Sequence, residues 1–320
     1  MRTTCTRRKF LGASLLAGPL LGLASNLNAK PGGRMPFKLG IITDEITEDL
    51  DQALAFISNY RLHHCELRDI WGKNIMNLSR PDLERAKRLI ADYGSQVSDI
   101  GSPVFKWNLP EAPARPAQRD EFGAHFTDQD SDKLLMQSFD IAHFFGAPKV
   151  RVFSFWRVQD PEKAYPYVRD RLAKAAETAG KNGILLVLEN EHECNVGTGK
   201  ELGRILKDVN SPHLRGNWDP GNAVMLGEVP YPDGYRHVEG LFDHMHIKDV
   251  MKDPQTGRLR WAPVGGGFID WKGQLQAVLA HHYDNTMSLE THYRRPDGNR
   301  VESTRESLLG LLKIIHEVTA

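Results

Sequence analysis

Short apolar runs alternate with amphipathic segments along most of the chain, and this alternation constrains the fold more than any other feature. The apolar runs have the length of buried strands, and the segments between them have helical periodicity. The predicted strands are 37–42, 63–67, 96–100, 149–153, 184–189, 214–219, 243–248 and 286–290. The predicted helices are 50–60, 82–93, 130–145, 162–181, 200–209, 271–282 and 305–318. The pattern is typical of an α/β protein that forms a single (β/α)₈ barrel of the TIM type.

The position of the glycines argues against the main alternative, an open doubly wound sheet that binds a dinucleotide. Such a sheet carries a GxGxxG motif directly after its first strand, where the motif contacts the pyrophosphate. No such motif follows residue 42, and the glycine run 265–267 comes late, in a predicted loop. The sequence therefore favours the barrel.

The first 29 residues have the features of an export signal. A twin-arginine motif at 6–11 precedes the apolar run 11–23, and a region of small residues ends at Ala29. The apolar run is too short to span a membrane. We therefore expect a twin-arginine signal at 1–29, a barrel domain at 30–320, and a periplasmic or otherwise exported protein. The barrel domain has no second long apolar run, so we expect no membrane segment once the signal is removed.

The charge balance restricts the class of partner. The 41 lysines and arginines equal the 41 aspartates and glutamates, and the formal net charge is zero. Proteins that bind nucleic acid through its phosphates need a basic surface. We therefore expect a small-molecule partner and no nucleic acid. The sequence does not indicate an oligomeric state.

Two cysteines lie outside the predicted signal, Cys65 and Cys194. Their spacing matches neither a CxxC pair nor a zinc ribbon. In an oxidising compartment they could form a disulfide, and two buried thiols are the other reading.

Four predicted strands end in, or just before, a side chain that binds hard metal ions. These side chains are Glu189, Asp219, His246 and Glu290, at intervals of 30, 27 and 44 residues. Each interval is about one strand plus one helix, with an insertion in the last. Because a barrel brings the carboxyl ends of its strands together on one face, the four side chains could bind a single ion. Three carboxylates and one imidazole suit a divalent Mn, Mg, Co or Zn ion and disfavour a thiolate site.

Several motifs together give the chain a family resemblance. They are CELR at 65–68, LEN at 188–190, DPGN at 219–222, HIKD at 246–249 and GGGFIDW at 265–271. In this order the chain resembles the xylose isomerase-like TIM barrel superfamily, in its sugar phosphate isomerase/epimerase branch, from about residue 37 to the C-terminus. The resemblance implies that Glu189, Asp219, His246 and Glu290 bind one divalent metal ion, with Mn²⁺ expected first and Mg²⁺, Co²⁺ or Zn²⁺ as alternatives. It also implies that Glu189 and Glu290 move protons beside a carbonyl group.

The chain departs from the epimerases and from a DNA-repair endonuclease of the same superfamily at one position. The epimerases have a histidine three residues after the metal-binding aspartate, whereas this chain has Asn222. The endonuclease uses a histidine-rich cluster of three metal ions, and Asn222 replaces one of its histidines. This difference, together with the zero net charge and the predicted export, argues against DNA cleavage and leaves Asn222 as a candidate substrate contact.

Other polar residues near the predicted strand ends are candidate catalytic or substrate-binding groups. Lys248 could stabilise an oxyanion or donate a proton, or form an ion pair with Asp249. Glu66 and Arg68 could hold sugar hydroxyls, or form a buried ion pair with each other. His244, two residues before His246, points to the same side of its strand and could be the ligand or support it.

The remaining candidates lie in loops. Lys106 and Trp107 follow the third strand, where a sugar ring could stack on the indole, although a packed aromatic is the other reading. His192 could support the ligands from behind, and Arg260 could contact substrate or remain a solvated charge. The long segments 102–128 and 251–267 follow strands three and seven, so we expect them to form a lid or a wall of the site.

These residues predict a metal-dependent isomerase or epimerase that acts on a sugar or keto-sugar through an enediolate. The same enolisation would make the enzyme a lyase or dehydratase, for example on a 3-keto-glycoside, if a leaving group lies on the next carbon. A barrel that binds carbohydrate without catalysis is the alternative from another class.

Overall fold

Eight parallel strands form a closed barrel in the computed structural model, which describes residues 38–112 and 125–320. The strands pair in the order β1-β8-β7-β6-β5-β4-β3-β2. Their bounds are β1 Lys38–Ile42, β2 His64–Leu67, β3 Gln96–Ile100, β4 Lys149–Val152, β5 Leu185–Glu189, β6 Leu214–Trp218, β7 Phe242–Ile247 and β8 Thr286–Leu289. The predicted (β/α)₈ barrel is confirmed. The predicted export signal lies outside the described residues.

In the described part of the chain, seven long helices pack around the barrel. They are α1 Leu50–Asn59, α2 Arg80–Asp92, α3 Ser131–Phe145, α4 Pro161–Lys181, α5 Gly199–Val209, α6 Trp271–Ala280 and α7 Arg300–Thr319. Local signals fix several of their ends. Side chains of Asp49 and Ser79 cap α1 and α2, and Thr198 and Glu201 form a capping box on α5. Gly146, at φ 72°, ends α3 in the left-handed conformation that glycine adopts without strain.

Two segments differ from the sequence-based prediction. The last helix begins at Arg300, five residues before the predicted start, because the side chain of Asn299 caps it by accepting from the Glu302 amide. The connection after β6, where no helix was predicted, holds three short helical segments: Pro220–Met225, Pro230–Gly234 and Tyr235–Val238.

The segment 251–267 after β7 contains most of an antiparallel hairpin rather than an irregular loop. Its strands are Asp249–Lys252 and Leu259–Ala262. A smaller hairpin, Asp69–Ile70 with Lys73–Asn74, follows β2. Both hairpins extend from the face of the barrel where the strands end.

The interior of the barrel is polar beneath this face. Glu66, Asp99, Arg151 and His244 come from β2, β3, β4 and β7, and each is at most 1 % exposed. Cys65 and Cys194 are buried and form no disulfide, which agrees with the reading of two buried thiols. Among the described residues, no helix has the length and apolar character needed to cross a membrane.

Candidate functional site

Four side chains of types that bind metal ions meet where strands β5 to β8 end. Glu189 is the last residue of β5, Asp219 follows β6, His246 lies in β7, and Glu290 follows β8. One potential ligand atom from each lies within 4.8 Å of those from the other three. All four side chains are buried. The structure thus brings together the set that the sequence predicted to bind one ion.

The donor atoms of this cluster fit a divalent cation. Oε2 of Glu189 and Oδ2 of Asp219 are buried and accept no hydrogen bond from the described part of the chain. Nδ1 of His246 lies 3.3 Å from an oxygen of Glu189 and 3.3 Å from an oxygen of Glu290. Oε2 of Glu189 and Oδ2 of Asp219 each lie beside a cation without an aligned hydrogen bond, Nη1 of Arg151 at 3.2 Å and Nζ of Lys248 at 2.8 Å. A hard divalent cation would supply the direct contact that both buried oxygens lack.

The two carboxylate oxygens of Asp219 have different roles, one in capping a helix and one in the cluster. Its Oδ1 accepts from the Asn222 amide at 2.9 Å and so caps the short helix after β6, as an ordinary Asp-Pro turn would. Its Oδ2 is directed at the cluster. Burial raises the pKa of Asp219 to about 6, and Glu189 and Glu290 contribute to the rise, because their charges would repel a third carboxylate.

Lys248 lies against two carboxylates of the cluster, those of Asp219 and Glu290. Its Nζ is 2.6 Å from Oε2 of Glu290 and 2.8 Å from Oδ2 of Asp219, although the second contact is not aligned as a hydrogen bond. Burial alone would lower the pKa of Lys248, but Asp219 and Glu290 outweigh it and raise the pKa above its ordinary value. Lys248 therefore supplies positive charge and hydrogen bonds rather than a base. Its partners are these two carboxylates and not Asp249.

Glu66 lies beneath the cluster and holds its imidazole. Both carboxylate oxygens are 3.2 Å from Nε2 of His246, and one is 3.0 Å from Nε2 of His244. Glu66 is fully buried, so it contacts these histidines rather than a substrate. A carboxylate behind the imidazole fixes the ring and makes it a stronger ligand through Nδ1. The structure therefore assigns His246 to the cluster and His244 to its support.

Asn222 holds Glu189 from behind. Its Nδ2 donates to Oε1 of Glu189 at 3.1 Å, and its Oδ1 lies 3.1 Å from Nδ1 of His192. His192 also lies 2.7 Å from a carboxylate oxygen of Glu191. Because Asn222 is fully buried, it positions Glu189 instead of contacting substrate as predicted.

A cavity of about 480 Å³ lies over the cluster. Glu189 and Glu290 line it, whereas Asp219 and His246 are buried outside its wall. Further side chains that line it are Asp44, Glu45, Glu48, Arg68, Asp69, Lys106, Arg151, Phe153, Glu191, His192, Glu193, Met225, Trp261, His292, Arg294 and Arg300. The two glutamates are thus the cluster members that a molecule in the cavity can reach.

Two arginines orient these glutamates. Arg68 donates to Oε1 of Glu290 at 2.7 Å, and its other nitrogens reach Asp44 and Glu45 at 2.6 and 2.7 Å. Arg151 lies 3.2 Å from Oε2 of Glu189. Sequence reasoning named Arg68 but missed Arg151. An arginine between the two valines of the strand Lys149–Val152 was the signal that could have identified it.

The hairpin after β7 contributes an aromatic wall that sequence reasoning also missed. The Trp261 ring lies 5.1 Å from Nζ of Lys248 and 5.1 Å, edge to face, from the ring of His292. His192 lies on another side at 6.4 Å. Trp261 therefore lines the cavity beside Lys248, where the long insertion was predicted to form a wall.

Asp249 anchors both ends of that hairpin. Its carboxylate accepts hydrogen bonds from the backbone amides of Val250, Gly265, Gly267 and Ile269. Added side-chain carbon on Gly267 would lie 2.1 Å from the Asp249 carboxylate, so only glycine fits there. The glycine-rich motif thus has a structural purpose: it brings the chain back to the barrel.

Three loop residues predicted to bind substrate have different positions. Lys106 lines the cavity and pairs with Glu191 at 3.2 Å. Trp107 is 4 % exposed, lies outside the cavity lining, and packs edge to face on Phe105 at 5.9 Å. Arg260 is exposed, lies outside the lining, and faces Asp253 at 3.7 Å. The strand alternates its faces, so Trp261 takes the inward position next to Arg260.

Comparisons with known proteins agree with the fold. A family model described as xylose isomerase-like TIM barrel matches residues 62–314. A comparison with curated proteins gave no match. Among solved structures, a xylose isomerase-like TIM barrel protein from Mycobacterium smegmatis in complex with magnesium is 19% identical, with a TM-score of 0.62; the match covers 89% of this chain and 98% of that one.

Two further structures are similar to the same extent. The IOLI protein with a bound zinc atom is 17% identical, with a TM-score of 0.68 and coverage of 88% of this chain and 99% of its own. The 3-keto-D-glucoside 4-epimerase from E. coli is 17% identical, with a TM-score of 0.63 and coverage of 86% and 98%. At this level of identity, the likeness shows the fold.

Proposed function

Because the chain belongs to the xylose isomerase-like TIM barrel family, we propose that it is a divalent-metal-dependent isomerase or epimerase that acts on a sugar or keto-sugar. One observation carries the proposal: Glu189 and Glu290 share a four-ligand cluster, yet both also line the cavity. Two carboxylates at one substrate site can remove a proton beside a carbonyl and return it elsewhere. Magnesium and zinc in similar barrels support the metal requirement.

The residues of the chain divide the chemistry between them. A divalent ion bound by the four ligands would polarise the substrate carbonyl and stabilise negative charge on its oxygen. Glu189 and Glu290 accept and return the proton at the neighbouring carbon. Burial alone would raise the pKa of Glu290, but Lys248, His292 and His246 hold it well below its ordinary value. Glu290 is therefore ionised, as a base must be.

Lys248 and Arg68 position Glu290 from two sides, while Asn222 and Arg151 position Glu189. Such support from fixed neighbours keeps a reacting group within a few tenths of an ångström of its working geometry. The same pair of bases would serve a lyase or dehydratase acting on a 3-keto-glycoside. The similarity to a 3-keto-D-glucoside epimerase is the observation that favours this second candidate.

The test combines metal content with proton exchange. Elemental analysis should find about one Mn, Mg, Co or Zn per chain, with Mn²⁺ expected first. Asp219→Asn should lose the ion while Oδ1 still caps the helix. In D₂O, the loaded enzyme should exchange the proton beside the carbonyl of keto-sugars, and Glu189→Gln and Glu290→Gln should each slow exchange by about 10²–10⁴-fold.

Glu48→Gln is the matched control, because the exposed Glu48 side chain lines the cavity but pairs with the half-buried Arg300 at 3.4 Å rather than with a cluster residue. It should retain metal and exchange. A protein that binds no ion after reconstitution, or that exchanges equally well as Glu189→Gln, would refute the proposal. Sugar binding without any exchange would instead identify a non-catalytic carbohydrate-binding barrel.

We propose further that residues 1–29 direct export through the twin-arginine route. The motif at 6–11 supports this, and a periplasmic enzyme would meet sugars and glycosides outside the cytoplasm. Replacing Arg7 and Arg8 together by lysine should retain the protein in the cytoplasm. The exported form should begin near residue 30 by N-terminal sequencing.

A further inference from the structure

The charges around the cavity identify the class of substrate. Among the described residues, eight carboxylates line it and five lysine or arginine side chains do. The carboxylates are Asp44, Glu45, Glu48, Asp69, Glu189, Glu191, Glu193 and Glu290, and the cations are Arg68, Lys106, Arg151, Arg294 and Arg300. A divalent ion would not reverse this excess.

Each of the five cations already faces a carboxylate. Arg68 is surrounded by Asp44, Glu45 and Glu290 at 2.6–2.7 Å. The other pairs are Lys106 with Glu191 at 3.2 Å, Arg151 with Glu189 at 3.2 Å, Arg294 with Glu45 at 3.2 Å, and Arg300 with Glu48 at 3.4 Å. A phosphate group carries about −1.5 to −2 charges at neutral pH and needs such cations for its own oxygens.

The deepest cations are also the most firmly held. The side chains of Arg68 and Arg151 are 6 % and 1 % exposed, and Lys106 is 7 % exposed. Drawing one of them to an anionic substrate would leave its carboxylate buried without a partner, which strongly disfavours such binding. The hydroxyl groups of an uncharged sugar would leave these ion pairs intact. A hydroxyl group can donate to the carboxylate of a pair and accept from its lysine or arginine.

From this we infer that the substrate is an uncharged sugar or glycoside, and that the site rejects sugar phosphates. The inference rests on the proposed function for the location of the site. It needs only binding, and so it can be tested apart from catalysis. The ring of Trp261 lines the cavity and offers the apolar surface that the face of an uncharged pyranose or furanose requires.

The experiment measures binding to the Mn²⁺-loaded protein by thermal unfolding and by calorimetric titration. The probes are D-fructose, D-tagatose and sucrose, each beside its own 6-phosphate. We expect at least one uncharged sugar to raise the unfolding temperature and to bind at least about 100-fold more tightly than its phosphate, a difference of about 2.7 kcal/mol. Equal or tighter binding of a phosphate, or stabilisation by none of the three uncharged sugars, would overturn the inference.

A variant tests the electrostatic cause. Glu191→Gln removes the partner of Lys106 and should improve binding of the 6-phosphates relative to the uncharged sugars by at least about 10-fold. Glu162→Gln removes an exposed partner of Arg204 outside the cavity lining and should change the ratio little. An unchanged ratio in Glu191→Gln would contradict the argument. If the uncharged sugars bind but exchange no proton with D₂O, the proposed function fails while this inference stands.

Discussion

Glu66 offers the sharpest test of how the barrel interior supports the candidate metal centre. It does not line the cavity over the cluster, yet both of its oxygens lie 3.2 Å from Nε2 of His246, on the edge of the ring opposite the cluster. Glu66→Gln keeps the shape of the side chain and removes its charge. Hydrogen bonds to a charged group contribute about 1.5–3 kcal/mol, and partners behind a metal-bound histidine are typically worth about 10–100-fold in affinity. The two figures agree, because tenfold corresponds to about 1.4 kcal/mol.

We therefore expect Glu66→Gln to raise the Kd for Mn²⁺ by about 10–100-fold, measured by calorimetric titration of metal-stripped protein. Circular dichroism and thermal unfolding without metal would verify that the variant folds. Glu48→Gln again serves as the control, since its partner is Arg300 rather than a cluster residue. A Kd within about twofold of wild type in a folded Glu66→Gln protein would refute the reasoning.

Three further predictions follow from the hairpin and the barrel interior. Trp261→Ala should raise KM for the preferred sugar by about 10-fold with little change in kcat, and Trp261→Phe should restore most of the loss, since an aromatic face binds the ring; a kcat effect alone would contradict this. Asp249→Ala should remove the acceptor of four backbone amides and speed proteolysis within 253–258 while metal content is retained; unchanged cleavage would show that the anchor is dispensable. Burial and the charge of Glu66 raise the pKa of Asp99 to about 7, so its stabilising contribution is present below the ordinary value of 3.8 and is lost as pH rises through about 7. Asp99→Asn should therefore flatten the fall in unfolding free energy between pH 4 and 8, by up to about 4 kcal/mol, in urea titrations; an identical slope would contradict this.

The strands of the barrel were predictable because each is a short apolar run bounded by turn residues. The third strand, Gln96–Ile100, was predicted with both ends correct. The ends of helices that are capped by side chains were harder to predict. The start of α7 was missed because the sequence 296–299 resembles a loop, and the cap becomes visible only when the Asn299 side chain is seen to accept from the helix.

The four ligands of the cluster could be predicted because they follow apolar strands at the interval of one barrel unit. The roles of the residues that support these ligands could not be predicted from their spacing. Glu66 and Asn222 were expected to contact substrate, since a sequence does not distinguish a side chain that faces the cavity from one that lies a layer below it. Trp261 and Arg260 are neighbours on one strand, and only the register of the hairpin decides which of them faces inward.

The anchoring of the hairpin by Asp249 has a consequence for how new specificities could arise in this barrel. Both ends of the segment 249–269 are fixed to one carboxylate, and no metal-binding candidate lies between them. The segment is therefore a cassette whose length and sequence can be exchanged while its junctions stay in place. Grafting a different hairpin between Val250 and Gly265 should change which sugars are accepted and leave the ligand geometry intact. The substrate specificity and the metal-binding residues could then evolve independently of each other.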